Sequence, residues 1–500
     1  MKINVASFNP LTADVQGNAE KIIGLLHSPA EQVPLLILPE AALCGCPLFD
    51  LFEDKQLLSQ QTIALKQIAQ ATKTQACVLG YADKQAGQVT TAAAFIYKGK
   101  ITKIFDTETI SFQGKLIQFS LLSPQDVAAD PDADLVVFLQ ARPYIKGNVS
   151  PRLDALKKFA KKHGVACVLC NLLGGGDGMI FDGLAAAADA KGNLVYLGEL
   201  FKEQLETFDT EEKHKPVSYH LPAIEELVEA LSFGVADYVT KSGFDKVVLG
   251  VSGGIDSAVT AALAARALGG ESVFCISLPS YCTSDLSKTL AGKLAVQLGV
   301  NLEEVGVKPL LETSKESLAH IVSHPKDLTT QALQSRLRTD ILAALAAEYH
   351  ALLLSTDDKS ESLVGPLMIY GQSEGDLQPI GDLYKTEVYE IADWLNKQGN
   401  LIPRGIIERA PTSELKPNQK DEDELPPYGV LDKLLKGYME EGKTPEELAK
   451  KLRLKTDTVK KVLSRVNQAD RSRRKMAPAL QVSDRPLSLR LRPIIKKINL

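Results

Sequence analysis

Residues 246–268 read KVVLGVSGGIDSAVTAALAARAL. The apolar, β-branched opening KVVLGV predicts a buried strand, and the alanine-rich close predicts a helix. Between them lies Ser252-Gly253-Gly254-Ile255-Asp256-Ser257. A strand that enters a helix through such a turn sets several backbone N–H groups and a helix N-terminus around one small anion site. Gly253 and Gly254 let the backbone bend sharply and approach a ligand closely. Ser252 and Ser257 add hydroxyl donors. Asp256 would repel a bare phosphate, so its presence implies Mg2+ shared with the phosphates. The stretch is neither GxxxxGK[ST] nor the dinucleotide fingerprint. An ordinary serine-capped glycine turn is the plain alternative.

The same rhythm continues downstream. SVFCISLPS (272–280) predicts a strand, 288–298 a helix, 302–307 a short strand, and ALLLST (351–356) a strand running into a polar loop. Strands alternating with helices predict a parallel, doubly wound sheet. Upstream, a long helix is expected over 223–241. Residues 204–222, polar, charged and holding two prolines, read as a linker. Before them, apolar runs at 3–8, 35–38, 76–80, 93–97, 116–121, 135–139 and 165–170 predict strands, with helical periodicity over 18–26 and 151–163. The expected division is an amino-terminal domain over 1–205, a linker over 206–222 and a second domain over 223–500. Residues 415–428 read as a charged, proline-bearing loop, and 429–468 as two or three short helices. The whole chain is of the α/β class.

Composition narrows the field. The 500 residues carry 57 Lys and Arg against 62 Asp and Glu, a net charge of -5, which disfavours a long nucleic-acid footprint. With 45% hydrophobic residues the chain can build more than one core. No apolar run approaches the length of a membrane span, and MKINVASFNP reads as a strand rather than a signal peptide. Seven scattered cysteines suit reduced thiols and a cytoplasmic setting. Cys44, Cys46, Cys167 and Cys170 lie in apolar runs and read as core thiols. Cys167 and Cys170 have neither a second pair nor histidines at metal spacing, so zinc has little support.

Three further stretches bear on the site. In STDDKSE (355–361), Thr356 is a candidate nucleotide contact and Glu361 a second carboxylate for the metal, facing Asp256; a polar loop capping the next helix is the alternative. In GDLYKTEVY (381–389), Lys385 reads as a point charge for a phosphate, or else as a solvated lysine on an amphipathic helix. The third is PTSELKPNQKDEDELPPYGVLD (411–432).

SGGIDS resembles the pyrophosphate loop of the ATP pyrophosphatases, which adenylate a carboxylate or carbonyl for attack by nitrogen or sulfur. The 411–432 stretch, together with SGGIDS, GDLYKTEVY and their order, resembles the glutamine-dependent NAD synthetases. LILPEAALCGCPLFDL (36–51) and GGGDGMIFDG (174–183) resemble the amidase domain of that family. The resemblance implies a nitrilase-like α-β-β-α sandwich followed by a Rossmann-like synthetase domain. It implies Mg2+ at Asp256 and Glu361, ATP as a substrate, and amidation of deamido-NAD+ with ammonia to NAD+, AMP and PPi. It further implies substrate contacts from Arg336, Arg338 and Gln372, and a homo-oligomer with paired synthetase halves.

The chain departs from that family in its amidase. Glu40 stands where the catalytic glutamate belongs, but Thr107 falls at the lysine position and Pro124 at the cysteine position. Gly178 replaces an acidic residue near the glutamine site. The expectation is a folded, silent amidase, with ammonia taken free or from a separate glutaminase. In the synthetase half an asparagine is replaced by Ala332, and TLYGD reads MIYGQ (368–372). Two other functions remain open: an adenylating enzyme with a different acceptor, and a regulatory nucleotide-binding paralogue. The basic tail (Arg471, Arg473, Arg474, Lys475, Arg485, Arg490, Arg492, Lys496, Lys497) reads as solvated, with a basic lip near the phosphates of a dinucleotide, or an RNA contact, as the functional alternatives.

Overall fold

In the computed structural model of the chain, residues 1–27, 33–322, 327–365, 375–412, 425–487 and 493 are described. They form two compact units, Met1–Ala223 and Ile224–Leu500.

The first unit holds two six-stranded sheets. One runs in the order Gln204–Asp209, Lys2–Ser7, Leu35–Ile37, Ala76–Gln85, Gln88–Tyr97, Lys100–Ile104. The other runs Leu194–Leu197, Ala185–Ala188, Ala166–Asn171, Leu135–Gln140, Lys115–Ser120, Thr107–Phe112. Alternation along the strands divides each apolar run between two cores. Ile3, Val5, Leu35, Ile37, Ala76 and Val78 meet Phe119, Val137 and Val168 of the other sheet. Their neighbours Leu36, Leu38, Cys77 and Leu79 face outward, beneath the helices Val15–Leu26 and Lys55–Ala71. A strand covered on both faces has no reason to alternate with polar residues, which explains the unbroken apolar runs. The helix Val149–His163 packs on the strands Ala166–Asn171 and Ala185–Ala188 of the second sheet. The layers are therefore α-β-β-α.

One boundary differs from the sequence expectation. Gln204–Asp209 is not the start of a linker: it is an edge strand paired antiparallel with Lys2–Ser7, in the register Lys2↔Asp209 to Ser7↔Gln204. Its Glu206 and Thr207 are exposed while Phe208 enters the core. An edge strand of this kind reads as polar because only part of it is covered. The segment then runs without helix or strand until Ala223–Lys241, the helix expected there.

The second unit is built on a four-stranded parallel sheet in the order Asn301–Glu304, Val273–Ser277, Val247–Gly250, Leu352–Leu354. In chain order this is 3-2-1-4. The first strand therefore lies at the point where the winding reverses, and ligand crevices of open α/β sheets form outside the carboxyl end of the strands there. The two loops that leave the carboxyl ends on either side of that point are SGGIDS and STDDKSE. The helices Tyr428–Met439, Pro445–Leu452 and Thr456–Gln468 follow, with Leu431, Leu434, Leu448, Val459 and Leu463 in a shared core. Among the described residues no helix is long and apolar enough to cross a membrane.

The described tail is solvated only in part: Arg471, Arg474 and Lys475 are exposed, whereas the stretch that follows them is anchored. Leu480 and Val482 are buried, and Arg473 donates to the Ser362 and Leu363 carbonyls at 3.3 and 2.9 Å. Main-chain bonds join this stretch to the rest of the unit: the Gln378 amide donates to the Pro478 carbonyl, and the Leu480 amide to the Gln378 carbonyl. A charged sequence with few large apolar residues conceals such strand-like attachment. Arg490, Arg492, Lys496 and Lys497 lie outside the described residues.

Candidate active site

The glycine turn is shaped by one close approach. Gly253 has φ +74°, and a β-carbon there would lie 2.5 Å from the Ser287 carbonyl oxygen. Only glycine lets the turn lie against the first turn of the helix Asp285–Leu298. The helix Ile255–Leu268 then starts at Gly254 with no side-chain cap, so its N-terminal amides open toward the turn. The two serines order the loop itself. Ser257 Oγ accepts from the Ser252 amide at 3.3 Å and donates to the Gly254 carbonyl at 3.1 Å, while Ser252 Oγ accepts from the Gly254 amide at 3.2 Å. Ser257 is buried and Ser252 exposed.

From the neighbouring strand end, Asp358 caps the helix Lys359–Val364. Its Oδ1 accepts from the Glu361 amide at 2.8 Å, and the Glu361 carboxylate accepts from the Asp358 amide at 3.3 Å. The box holds both acids side by side. Thr356 is half-buried two residues earlier.

Lys385 joins the two loops. Its ammonium lies 2.7 Å from Asp256 Oδ2, 2.8 Å from Glu361 Oε1 and 3.1 Å from Asp358 Oδ2, and over the Tyr428 ring at 5.2 Å. The side chain is fully buried, which replaces the solvated-helix alternative: Lys385 opens the helix Lys385–Gly399 and points inward. Burial in low dielectric favours uncharged forms, and three nearby carboxylates oppose that for the lysine. Lys385 is held well above the usual lysine range despite its burial, because Asp256, Asp358 and Glu361 surround it. Burial pushes Asp256 up to about 7, with Lys385 opposing and Glu361 adding. Asp358 is raised well above the carboxylate range, also chiefly by burial.

Carboxylate oxygens of Asp256, Asp358 and Glu361 lie within 4.8 Å of one another. Asp256 Oδ1 is buried and has no hydrogen-bond partner. All-oxygen donors with one unsatisfied carboxylate oxygen fit a hard divalent cation such as Mg2+. Sequence reasoning named Asp256 and Glu361 and missed Asp358, whose signal was its place as the first residue of a D-x-x-E capping pair. It also missed the support beneath Lys385. Asp432 accepts from Ser360 Oγ at 2.6 Å and from the Thr386 amide at 2.8 Å, tying the two loops together. Tyr428 and Asp432 are the described end of the 411–432 stretch, so part of that motif serves to seat the lysine.

Arg338 donates to the Leu278 carbonyl at 3.2 Å, and Arg336 pairs with Asp340 at 3.4 Å on an exposed helix face. The structure thus shows backbone and helix-surface contacts for this pair. Gln372 lies outside the described residues.

The family model described as NAD synthase matches residues 227–477. A glutamine-dependent NAD(+) synthetase of Synechocystis sp. is 33% identical, over 97% of this chain and 96% of its own. The chain belongs to the NAD synthase family. Among solved structures, the glutamine-dependent NAD+ synthetase of Acinetobacter baumannii, in complex with ADP, is 28% identical with a TM-score of 0.76, covering 99% of this chain and 98% of that one. The one from Cytophaga hutchinsonii superposes with a TM-score of 0.85 at 20% identity, over 99% and 98% of the two chains, and attests the fold. The two-part architecture of the NAD synthase relatives is therefore present along the whole chain.

The amidase position looks different from the synthetase site. Glu40 Oε2 accepts from the Ala141 amide at 3.1 Å and the carboxylate also takes a hydrogen bond from Thr91. Burial raises the Glu40 carboxyl above its ordinary value. Thr107 faces Ser120 across an antiparallel pair, their hydroxyls 3.0 Å apart, and neither carries a charge. Pro124 follows the strand Lys115–Ser120 in a turn where the Asp126 amide donates to the Ser123 carbonyl. Burial pushes the Cys46 thiol up to about 11 and Cys44 up to about 12, and the Glu40 charge adds to both. Gly178 has a local reason: Asp177 and Gly178, both at positive φ, form the tight turn between Leu173–Gly176 and Met179–Asp182.

Proposed function

We propose that this chain is an ATP-dependent amide ligase that adenylates the nicotinate carboxylate of deamido-NAD+, releases PPi, and admits ammonia to give NAD+ and AMP. The observation that carries the reading is the convergence of Asp256, Glu361 and Lys385 from separate segments at the sheet's switch point. The residues supply positioning and charge. The Gly253 amide and the helix start at Ile255 face the triphosphate. Asp256 and Glu361 hold Mg2+, with Asp358 beside them. When bound, Mg2+ neutralises charge on the departing pyrophosphate. Lys385 keeps both acids at a fixed separation and keeps a positive charge beneath the phosphates. Ser252, Ser257 and Thr356 shape the loop floor, and Arg336, Arg338 and Gln372 are the proposed acceptor contacts.

The amidase unit is proposed to be silent, because Thr107 and Pro124 supply neither a cation nor a nucleophile and the nearby thiols are held protonated. Ammonia then comes free or from a separate glutaminase. Family resemblance further suggests a cytoplasmic homo-oligomer, which sedimentation of the purified chain tests. The function is tested by following AMP, PPi and NAD+ with ATP, Mg2+, deamido-NAD+ and an ammonium salt. The expected result is stoichiometric formation of all three. PPi release indifferent to deamido-NAD+ would overturn the acceptor, and turnover on glutamine alone would overturn the silent amidase.

A further inference from the structure

A second buried lysine lies beside the first. Lys359 is fully buried, at the start of the same short helix that carries Glu361. Its ammonium meets Asp382 Oδ1 at 3.0 Å, Glu440 Oε1 at 3.1 Å, Ser483 Oγ at 3.0 Å and the Arg485 carbonyl at 3.2 Å. It also lies over the Tyr384 ring at 5.0 Å, and Tyr384 Oη donates to the same Glu440 oxygen at 2.8 Å. Asp382 in turn accepts from the Val482 and Ser483 amides at 2.9 and 2.8 Å and from Ser483 Oγ at 2.9 Å. The carboxy-terminal stretch therefore does not merely cover the unit. It is clamped to the loop that ends in Tyr384 and Lys385 and to the helix that begins at Lys359.

The chain connectivity gives this clamp a consequence. Lys359 directly follows Asp358 and stands two residues before Glu361; Tyr384 directly precedes Lys385. Any shift of Lys359 or Tyr384 is passed through one or two peptide units to the groups that meet Asp256. Main-chain pairing makes the connection stiff. Leu354 bridges Leu377, and Gln378 bridges Ala479, so single parallel bridges link the tail to the last strand of the sheet through 377–378. A buried ammonium with four oxygen neighbours from three separate segments is a fixed point, because moving any one loses a hydrogen bond or an ion pair in low dielectric.

We propose that Lys359, Asp382 and Ser483 form a brace through which the carboxy-terminal segment positions Lys385 and Glu361 for the reaction. Lys359 is a positioning residue and touches no substrate. The inference rests on the adenylation reading for its kinetic consequence, and on geometry alone for its mechanical one. Ser483→Ala removes one donor to Asp382 and one acceptor of Lys359 while leaving all buried charges paired. It is expected to lower kcat about tenfold, short of the loss of about 10²-fold that a misplacement near 1 Å can cause. KM for ATP should stay within about twofold, since the glycine turn is untouched. Ser483→Thr, which keeps the hydroxyl, should restore kcat. Hydrogen exchange of the intact chain supplies the independent reading: Ser483→Ala should accelerate exchange at 358–361 and 384–387 and leave 252–257 unchanged. Lys359→Met should exaggerate both effects if it folds. Unchanged exchange at those two segments overturns the brace, whatever reaction the enzyme performs. So does a Ser483→Ala enzyme with altered KM and normal kcat. Failure of the wild-type chain to consume deamido-NAD+ would instead strike only the proposed function, because the exchange result still decides the brace.

Discussion

At the scale of single residues, Asp256 carries the heaviest load. It is the one acid of the cluster that belongs to the glycine turn, it pairs with Lys385, and one of its oxygens is buried without a partner. Asp256→Asn keeps the shape and removes the charge. Pyrophosphate release is expected to fall by roughly 10²–10³-fold, the usual loss when one preorganised electrostatic group is removed from a reacting phosphate or oxyanion site. A quantitative PPi assay at saturating ATP checks this. Cys46 gives a prediction of opposite character. With its thiol pushed up to about 11, the thiolate at pH 8 is on the order of one part in a thousand. Carbamidomethylation of Cys46, followed by mass spectrometry, should be slow at neutral pH and rise about tenfold per pH unit up to pH 10. The raised value means that the reactive form appears only as pH climbs. A nucleophile tuned for glutamine would behave the other way, labelling readily near pH 7.

At the scale of elements, the glycine turn and the capping box divide the work. The turn bends the chain into the start of the helix Ile255–Leu268, and the box fixes two acids at one helix start. Gly253 sits at φ +74° with its missing β-carbon aimed at the Ser287 carbonyl. Gly253→Ala meets both a left-handed backbone, costing roughly 1–2 kcal/mol, and a clash that the first turn of the neighbouring helix must relieve. Activity at fixed ATP should drop by more than about tenfold, the equivalent of ~1.4 kcal/mol, with KM for ATP rising. Titration calorimetry with a non-hydrolysable ATP analogue tests the same point without turnover. The turn was legible because strand, two glycines and helix follow one another within a few residues. The capping box was only half legible: Glu361 was named for its charge, whereas Asp358 acquires its importance from the fully buried Lys385, which arrives from a later segment.

At the scale of the whole molecule, each unit has its own core, so a core substitution should act locally. Phe119 is fully buried between the two sheets of the first unit and packs on Phe95 with ring centroids 5.6 Å apart. Phe119→Ala is expected to destabilise that unit by about 3–5 kcal/mol. Scanning calorimetry should show one transition lowered and the other retained, with ammonia-driven PPi release preserved below the lowered transition. The architecture of both units could be anticipated because their central strands are covered on both faces and so read as continuous apolar runs. The edge strand Gln204–Asp209 could not, because a half-covered edge looks like a linker.

The sequence by itself determined the glycine turn between strand and helix, the parallel α/β unit, the acids Asp256 and Glu361, and the presence of Thr107 and Pro124. These are properties of short, contiguous patterns or of residue identity at one position. The tertiary structure alone decided that Lys385 is buried among three carboxylates, that Asp358 joins them, and that Lys359 clamps the tail beside the site. The physical reason is that a buried charge is tolerated only where partners from distant segments meet it, and no local pattern of residues records which segments those are.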